Sequence, residues 1–264
     1  MTKSVTSEEG IAAIEMRLTR KKSLQKYYES RFEEIKAHLV KFFPHEIRTP
    51  LTGILGCAEI LKEDGDLPAE EVKKIGAAIY KSGQQLRRLL ENVILLGELQ
   101  SWMNDRNAVA TMRRDSISSL LEVIRSAAER EAEIQKRTDS ISIEVDDSLV
   151  QISSMHLTKI MEEVINNALK FSDPGSKIYI SSEKNDVKVA ITIRDEGRGM
   201  TIGQIDKIAA IQQFEASHHD QQGAGIGLTI AKTLTELYGG SLTIESTEKK
   251  GTTVKIKLLK LMNA

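Results

Sequence analysis

The sequence predicts a multidomain protein: an α-helical hairpin forming a dimeric four-helix bundle, followed by an α/β sandwich domain. Apolar residues in the first third of the chain recur at alternating spacings of three and four, the period of a coiled coil. The rest of the chain alternates between helical periodicity and the two-residue periodicity of strands, which is typical of helices packed on a sheet. These two patterns define the fold class.

Two long helices are predicted in the first third. One apolar seam covers residues 11–42, and a second covers 72–96. Pro68 lies in the turn between them and is placed to open the second helix, because proline suits a first helical turn. The two helices expose more apolar surface than one hairpin can cover, and pairing two hairpins hides it. We therefore expect residues 11–103 to form a homodimeric bundle; a monomeric hairpin docked on the remaining chain is the alternative.

The polar stretch 104–107 interrupts the helical pattern and predicts a linker. Beyond it, the pattern predicts a largely antiparallel sheet that carries helices on one face. We expect an N-terminal coiled-coil helix over 1–34, the hairpin over 35–103 and the α/β domain over 108–264. In the last region, helices are predicted over 117–135, 157–171 and 226–238, and strands over 140–145, 178–180 and 187–193 and near 242–244 and 254–258.

The composition is that of an ordinary globular protein. Of the 264 residues, 40% are hydrophobic and 28% are charged, and the formal net charge of −1 does not suggest nucleic-acid binding. The single cysteine, Cys57, excludes an internal disulfide framework and fits a reducing cytoplasm. The apolar runs are far shorter than the roughly 20 residues that cross a bilayer, so we expect no membrane segment in this chain.

The first chemical motif surrounds His45. A neutral imidazole is a good nucleophile toward phosphorus, and the adjacent carboxylate of Glu46 can fix its tautomer. Thr49 lies one helical turn further on the same face. Pro44 and Pro50 each remove a backbone donor, so we expect the helix to bend here. A surface histidine beside a kink is the alternative interpretation.

A second motif covers residues 163–172. Helical spacing puts Glu163, Asn167 and Lys170 on one face. An amide oxygen is a ligand that Mg²⁺ accepts, and a nearby lysine can meet phosphates as a point charge. An ordinary polar helix face is the alternative interpretation.

Two glycine-rich segments follow. In the first, Gly197 and Gly199 let the backbone approach a flat ring, and the carboxylate of Asp195 can accept from an amino group. The second, residues 223–228, opens a helix whose free N–H groups favour phosphate. It follows a polar stretch and not a strand, which argues against a dinucleotide-binding fingerprint.

Together these segments resemble the catalytic core of the two-component sensor histidine kinases. The segment around His45 is similar to the phosphoacceptor motif of their dimerisation and phosphotransfer domain. The segment from Glu163 resembles the asparagine box of their GHKL ATP-binding domain, and the others resemble its glycine boxes. Their concurrence in the family's order is more specific than any one of them. The resemblance covers roughly residues 35–258, through the segments 45–51, 163–172, 195–200, 223–228 and 251–252.

The resemblance implies a reaction. The chain would use Mg²⁺ and ATP to phosphorylate its own His45, with Glu46 assisting the transfer and Thr49 supporting a phosphatase activity. The phosphoryl group would then pass to an aspartate in the receiver domain of a response regulator. Pro44 departs from the family pattern, in which a small residue such as serine is commoner.

The resemblance also implies a nucleotide site. Asn167 matches the magnesium ligand, and Glu163 is counted with it as a metal-binding residue although the family has an asparagine there. Asp195 matches the residue that contacts the adenine amino group, supported by Thr252. The other implied ATP-binding residues are Lys170 at the phosphates, Phe171 beside the adenine, and Gly197, Gly199, Gly223, Gly225, Gly227 and Leu228 of the glycine boxes.

Residues 201–222, with Phe214 in a polar run, match the ATP lid of these kinases. The usual phosphate-contacting arginine of the lid has no clear counterpart, and the nearby His218 and His219 are more simply explained as solvated loop histidines. Two rival functions stay open. A GHKL ATPase that hydrolyses ATP would use Glu163 to activate water but lacks the upstream histidine motif, and an inactive scaffold would need a broken box.

Overall fold

The computed structural model describes residues 44, 46–63, 66–104, 106–114, 116–201 and 226–261. The predicted seam over 11–42, the nucleophile His45, the lid beyond residue 201 and the glycines at 223 and 225 lie outside the described residues. Predictions about them therefore stay predictions, as does the bend around His45.

The hairpin consists of α1 over residues 46–63 and α2, Ala69–Asn104, of 36 residues. The Pro68 carbonyl accepts from the backbone N–H groups of Glu71 at 2.8 Å and Val72 at 3.1 Å. Pro68 is therefore the residue that caps α2, and helical geometry begins one residue later. Glu70 and Glu71 lie in the first turn, where carboxylates complement the helix dipole.

The α/β domain contains a five-stranded sheet within the described residues, in the order β2-β4-β5-β7-β6, with helices on one face. Strand β2 runs parallel to β4, and the other neighbours are antiparallel. Together with the hairpin, this confirms the predicted order of a helical region followed by an α/β domain, whereas the pairing of two hairpins stays a prediction. The strands are β2 Ile141–Glu144, β4 Ile178–Lys184, β5 Lys188–Asp195, β6 Ser241–Thr247 and β7 Gly251–Leu259, and the helices are α4 Leu120–Ile134, α5 Ser154–Phe171 and α6 Ile226–Leu237.

Alternating burial along β5 determines which way the side chain at the end of the strand points. Val189, Ile191 and Ile193 face the helices and are buried, as the two-residue periodicity predicts. Asp195 continues that face and pairs with Thr252 across β5 and β7. The strand pattern thus carries a carboxylate into the layer between sheet and helices.

Helix α4 begins at Leu120, three residues later than predicted. Ser118–Ser119 form the short strand β1, which pairs with β3, Leu149–Val150. The Ser119 hydroxyl then accepts from the backbone N–H of Glu122 at 3.3 Å and caps the helix. Strands of two residues carry no periodicity, so the sequence did not predict this pair.

The predicted linker over 104–107 was too long. Helix α3, Arg106–Arg114, begins two residues after the end of α2. The Arg113 guanidinium donates to the carbonyl of Leu237 and, at 3.4 Å, to that of Glu236. It therefore satisfies carbonyls at the C-terminal end of α6, where cations are favourable.

The C-terminal part of α2 packs in the core of the α/β domain. Leu96 and Leu99 are at most 1% exposed and belong to the same hydrophobic cluster as the sheet. The rings of Trp102 and His156 meet edge to face, with their centres 5.3 Å apart. The Nδ1 of His156 lies 2.8 Å from the Tyr238 hydroxyl. Helix α2 thus belongs to both parts of the protein. Among the described helices, none is long and apolar enough to cross a membrane.

Arg137 fixes the turn that ends α5. Its guanidinium donates to the carbonyls of Leu169 at 2.7 Å, Ser172 at 3.1 Å and Ser176 at 2.8 Å. The bonds to Leu169 and Ser172 satisfy carbonyls that the helix leaves unpaired at its C-terminal end, and the bond to Ser176 holds the loop that follows. Because α5 carries the predicted asparagine box, Arg137 also fixes the end of that box.

We expect Arg137→Ala to lower the free energy of unfolding by roughly 2–3 kcal/mol, because it strands several part-buried carbonyls at once. Chemical denaturation measures the change. Arg125→Ala removes the same charge from an exposed position of α4 and should stay within about 0.5 kcal/mol of the parent. Equal effects of the two variants would contradict the role of Arg137.

Candidate nucleotide site

The carboxylate of Asp195 is at the centre of the site. The residue is 7% exposed, and its Oδ1 accepts from the backbone N–H of Gly197 at 2.9 Å and of Thr252 at 3.2 Å. Burial raises the pKa of this carboxyl, and the two hydrogen bonds oppose that rise. For Oδ2, no partner is found in the described part of the chain. One oxygen is therefore held, and the other can accept from a ligand.

Two glycines permit the close contacts around this carboxylate. A Cβ on Gly197 would lie 2.2 Å from the carbonyl oxygen of Phe171. Gly251 has a φ of +96°, and a Cβ there would lie 2.0 Å from the carbonyl oxygen of Asp195. Both are backbone contacts that a side chain would break.

Phe171 joins the end of α5 to the turn after β5. Its carbonyl accepts from the backbone N–H of Arg198 at 3.0 Å. The Arg198 guanidinium lies 4.5 Å from the centre of the Phe171 ring, and the Lys170 ammonium lies 5.2 Å from it. A ring and two cations therefore lie together beside Asp195. Arg198 was not among the predicted site residues, although it stands between two predicted glycines.

Ser246 is a second residue that the sequence did not reveal. Its hydroxyl donates to the carbonyl of Gly251 at 2.9 Å and accepts from the backbone N–H of Met200 at 2.9 Å. It also lies 2.9 Å from the hydroxyl of Thr252. Thr252 thus contacts Asp195 through its backbone, while its side chain joins a network that holds the glycine turns. Nothing in the local pattern of β6 distinguishes this serine.

Glu163 lies deeper, under the start of α6. Its Oε1 lies 2.7 Å from the Lys159 ammonium and 3.5 Å from the Arg88 guanidinium. A Cβ on Gly227 would lie 2.0 Å from its Oε2. Asn167, one turn further along α5, is half-buried. The described residues contain no group of three or more acidic, histidine or cysteine side chains placed to hold a metal ion, and the metal-binding roles of Glu163 and Asn167 stay predictions.

The start of α1 approaches the end of α5. Lys170 reaches solvent, yet partial desolvation lowers the pKa of its ammonium, and the charges of Arg198 and Arg88 lower it further. The carboxylate of Glu46 opposes that shift, so it lies within electrostatic reach of Lys170.

The structure also places two other predicted site residues. Thr49 is exposed on α1. Leu228 is buried in α6, directly after Gly227.

Comparison with known proteins identifies both parts of the chain. The phospho-acceptor domain family His Kinase A matches residues 36–102. The family of histidine kinase-, DNA gyrase B- and HSP90-like ATPases matches residues 152–262. The chain therefore belongs to the sensor histidine kinases, a family of ATP-dependent protein-histidine kinases.

Individual relatives agree with this family. The chain is 26% identical over 223 residues to the alginate biosynthesis sensor protein KinB of Pseudomonas aeruginosa, covering 83% of the chain and 36% of KinB. It is 29% identical over 235 residues to the heme sensor protein HssS of Staphylococcus saprophyticus, covering 87% of the chain and 48% of HssS. The chain thus spans less than half the length of either relative.

The solved structure of the Acinetobacter baumannii histidine kinase AdeS shares the fold. The TM-score is 0.57 at 19% identity, and the match covers 83% of this chain and 98% of the AdeS chain.

We expect Gly197→Ala to weaken nucleotide binding at least about tenfold, because the new Cβ meets backbone and forces the turn away from Phe171. Titration with a fluorescent ATP analogue measures this. Gly175→Ala is the matched control, since a Cβ at Gly175 meets nothing within 4 Å. If Gly197→Ala binds as tightly as the control, this turn does not contact the nucleotide.

Proposed function

We propose that this chain binds Mg-ATP beside Asp195 and transfers the γ-phosphoryl group to an imidazole nitrogen of His45. The observation that carries the proposal is the buried Asp195 carboxylate, with one oxygen held by two backbone amides and the other available. An ionised carboxylate only accepts hydrogen bonds, so its second oxygen suits the exocyclic amino group of adenine. The ring of Phe171 supplies an apolar surface beside it.

The surroundings fit the charge of a nucleotide. Lys170 and Arg198 provide two cations beside the Phe171 ring, 5.2 Å and 4.5 Å from its centre. The amide oxygen of Asn167 is a hard ligand that suits Mg²⁺, and the bound ion would neutralise phosphate oxygens. Glu163 is already paired with two cations, so we assign the first metal-ligand role to Asn167.

The transfer step needs little beyond positioning. The imidazole nitrogen of His45 attacks the γ-phosphorus, the bond to the bridging oxygen breaks, and ADP leaves. The carboxylate of Glu46 would accept a hydrogen bond from the N–H of the other ring nitrogen and so stabilise the developing imidazolium. The electrostatic proximity of Glu46 and Lys170 supports an approach of the two motifs within one chain.

We further propose that the chain acts as a homodimer in the cytoplasm and passes its phosphoryl group to an aspartate of a response regulator, with Thr49 assisting phosphatase activity. Large apolar side chains remain exposed on α1 and α2, and a second hairpin would cover them. These are Leu51, Leu55, Ile60, Leu61, Val72, Tyr80, Leu90 and Ile94.

Incubation with Mg-ATP should label the protein with phosphate that is stable in alkali and lost in acid, as phosphohistidine is. His45→Gln should abolish the label while leaving nucleotide binding within about twofold of the parent, because the nucleophile is not part of the adenine site. A variant that still incorporates phosphate would disprove the assignment. ATP hydrolysis without any acid-labile label would favour the rival ATPase function.

Asp195→Asn should weaken ATP binding about tenfold or more, because an amide presents a competing donor to the adenine amino group. Burial raises the pKa of Asp195. In the parent, therefore, affinity should fall on acidification at a higher pH than an ordinary aspartate would cause, and the Asn variant should lack this dependence. Calorimetry between pH 8 and pH 5 measures both effects. Asn167→Ala is the contrasting control. It should slow phosphorylation, which needs Mg²⁺, but should leave the affinity for ATP measured without Mg²⁺ nearly unchanged. Equal affinity and pH dependence in parent and Asp195→Asn would mean that adenine binds elsewhere.

A further inference from the structure

Arg88 connects the helical hairpin to two helices of the α/β domain. Its guanidinium contacts Glu131 of α4 with two nitrogens, Nη2 to Oε1 at 2.6 Å and Nη1 to Oε2 at 3.3 Å. Its third nitrogen, Nε, lies 3.5 Å from Glu163 of α5. All three nitrogens therefore face carboxylates, in the paired geometry that makes arginine–carboxylate contacts strong.

The burial of these groups makes the contact consequential. The side chain of Glu131 is 2% exposed and that of Glu163 is 7% exposed, whereas that of Arg88 is 25% exposed. The other nearby cations are engaged, because Lys159 pairs with Glu163 and Arg130 pairs with Glu162. Arg88 is therefore the one cation within 4 Å of Glu131 among the described residues. Without it, Glu131 would be a buried charge with no counter-ion, which is strongly unfavourable.

We propose that Arg88 is a positioning residue: by neutralising Glu131 and Glu163 it holds the α/β domain on α2 in the arrangement that points the nucleotide site toward the start of α1. This inference rests on the proposed function, because it concerns how that site reaches His45. Helix α5 carries both Glu163 and Lys170, and Lys170 lies within electrostatic reach of Glu46. Fixing α5 to α2 therefore fixes the approach of the two motifs.

The contact also makes docking depend on pH. Burial raises the pKa of Glu131 to about 7, with Glu162 and Glu163 of α5 raising it and Arg88 of α2 lowering it. A carboxyl whose pKa is higher in the docked arrangement than in water binds an extra proton there. To the extent that contact with α2 contributes to this burial, docking is strengthened as the pH falls through about 7, because protonated Glu131 is no longer a buried charge. Because Arg88 lowers the pKa of Glu131, Arg88→Gln should raise that pKa further and make docking depend more strongly on pH.

The test is a double-variant cycle with Arg88→Gln, Glu131→Gln and both together. Cys57, the only cysteine, lies on α1 and can carry a fluorescent donor, while a trinitrophenyl-ATP acceptor binds the α/β domain. Energy transfer then reports docking, and phosphorylation of His45 reports function. At pH 8 we expect Arg88→Gln to reduce both, phosphorylation by about tenfold, with analogue affinity unchanged. The double variant should recover to within about threefold, because no unpaired buried charge remains. Lowering the pH to 6 should restore the energy transfer of Arg88→Gln, with saturating analogue, to that of the parent at the same pH.

Arg87→Gln is the matched control. Arg87 is the neighbouring residue on α2, and it pairs with Glu91 on the exposed face of the helix. Its loss removes the same charge and should change neither readout more than about twofold.

Where the analogue binds, any of three results would overturn the proposal: unchanged energy transfer in Arg88→Gln, a double variant as impaired as the sum of the single variants, or no recovery of energy transfer at pH 6. If the analogue does not bind the parent, the proposed function fails instead. The emission of Trp102, the only tryptophan, which contacts His156 across α2 and α5, then decides the docking question without nucleotide. Emission from Arg88→Gln that matches the parent at pH 8 would overturn the proposal on its own.

Discussion

The candidate nucleotide site depends on one carboxylate oxygen. The Oδ1 of Asp195 accepts from the backbone amide of Gly197 in the turn after β5 and from that of Thr252 at the start of β7. Both segments approach the carboxylate closely because of their glycines, and Gly251 lies in the left-handed region. The hydroxyl of Ser246 joins the same two segments through Met200 and Gly251. This local hydrogen-bond pattern thus determines where the sheet ends and what a ligand can contact.

Helix α2 gives the protein its second constraint, because it cannot move as part of the hairpin alone. Its C-terminal leucines are buried in the α/β core, and its middle carries the charge that balances two buried acids. Apolar packing is insensitive to pH and largely undirected, whereas the paired guanidinium is directional and depends on the charge of its partner. The contact between the two parts therefore combines an apolar end with an ionic middle whose strength depends on the charge of Glu131.

The sequence predicted those features that repeat along the chain. The alternation in β5 and the apolar face of α5 fixed the strands, helices and fold class, and the glycines near Asp195 indicated a backbone turn beside a carboxylate. Features set by single tertiary contacts were not predictable. The pairing of Arg88 with Glu131 joins residues 43 positions apart, and α3 depends on Arg113 reaching α6. Ser246 looks like any other polar strand residue. In each case a contact across the fold, and not a local preference, gives the residue its role.

The contact between Gly227 and Glu163 ties two positions far apart in sequence. The Oε2 of the glutamate occupies the space that a Cβ on residue 227 would need. The glycine therefore serves two purposes, since it shapes the start of a helix and makes room for an acid that is longer than the family's asparagine. The carboxyl carbon of Glu163 also lies 3.0 Å from that Cβ position, so a glutamate at 163 requires a residue without a side chain at 227. In this chain the choice of residue at 227 therefore depends on the side chain at 163, although the two positions are 64 residues apart.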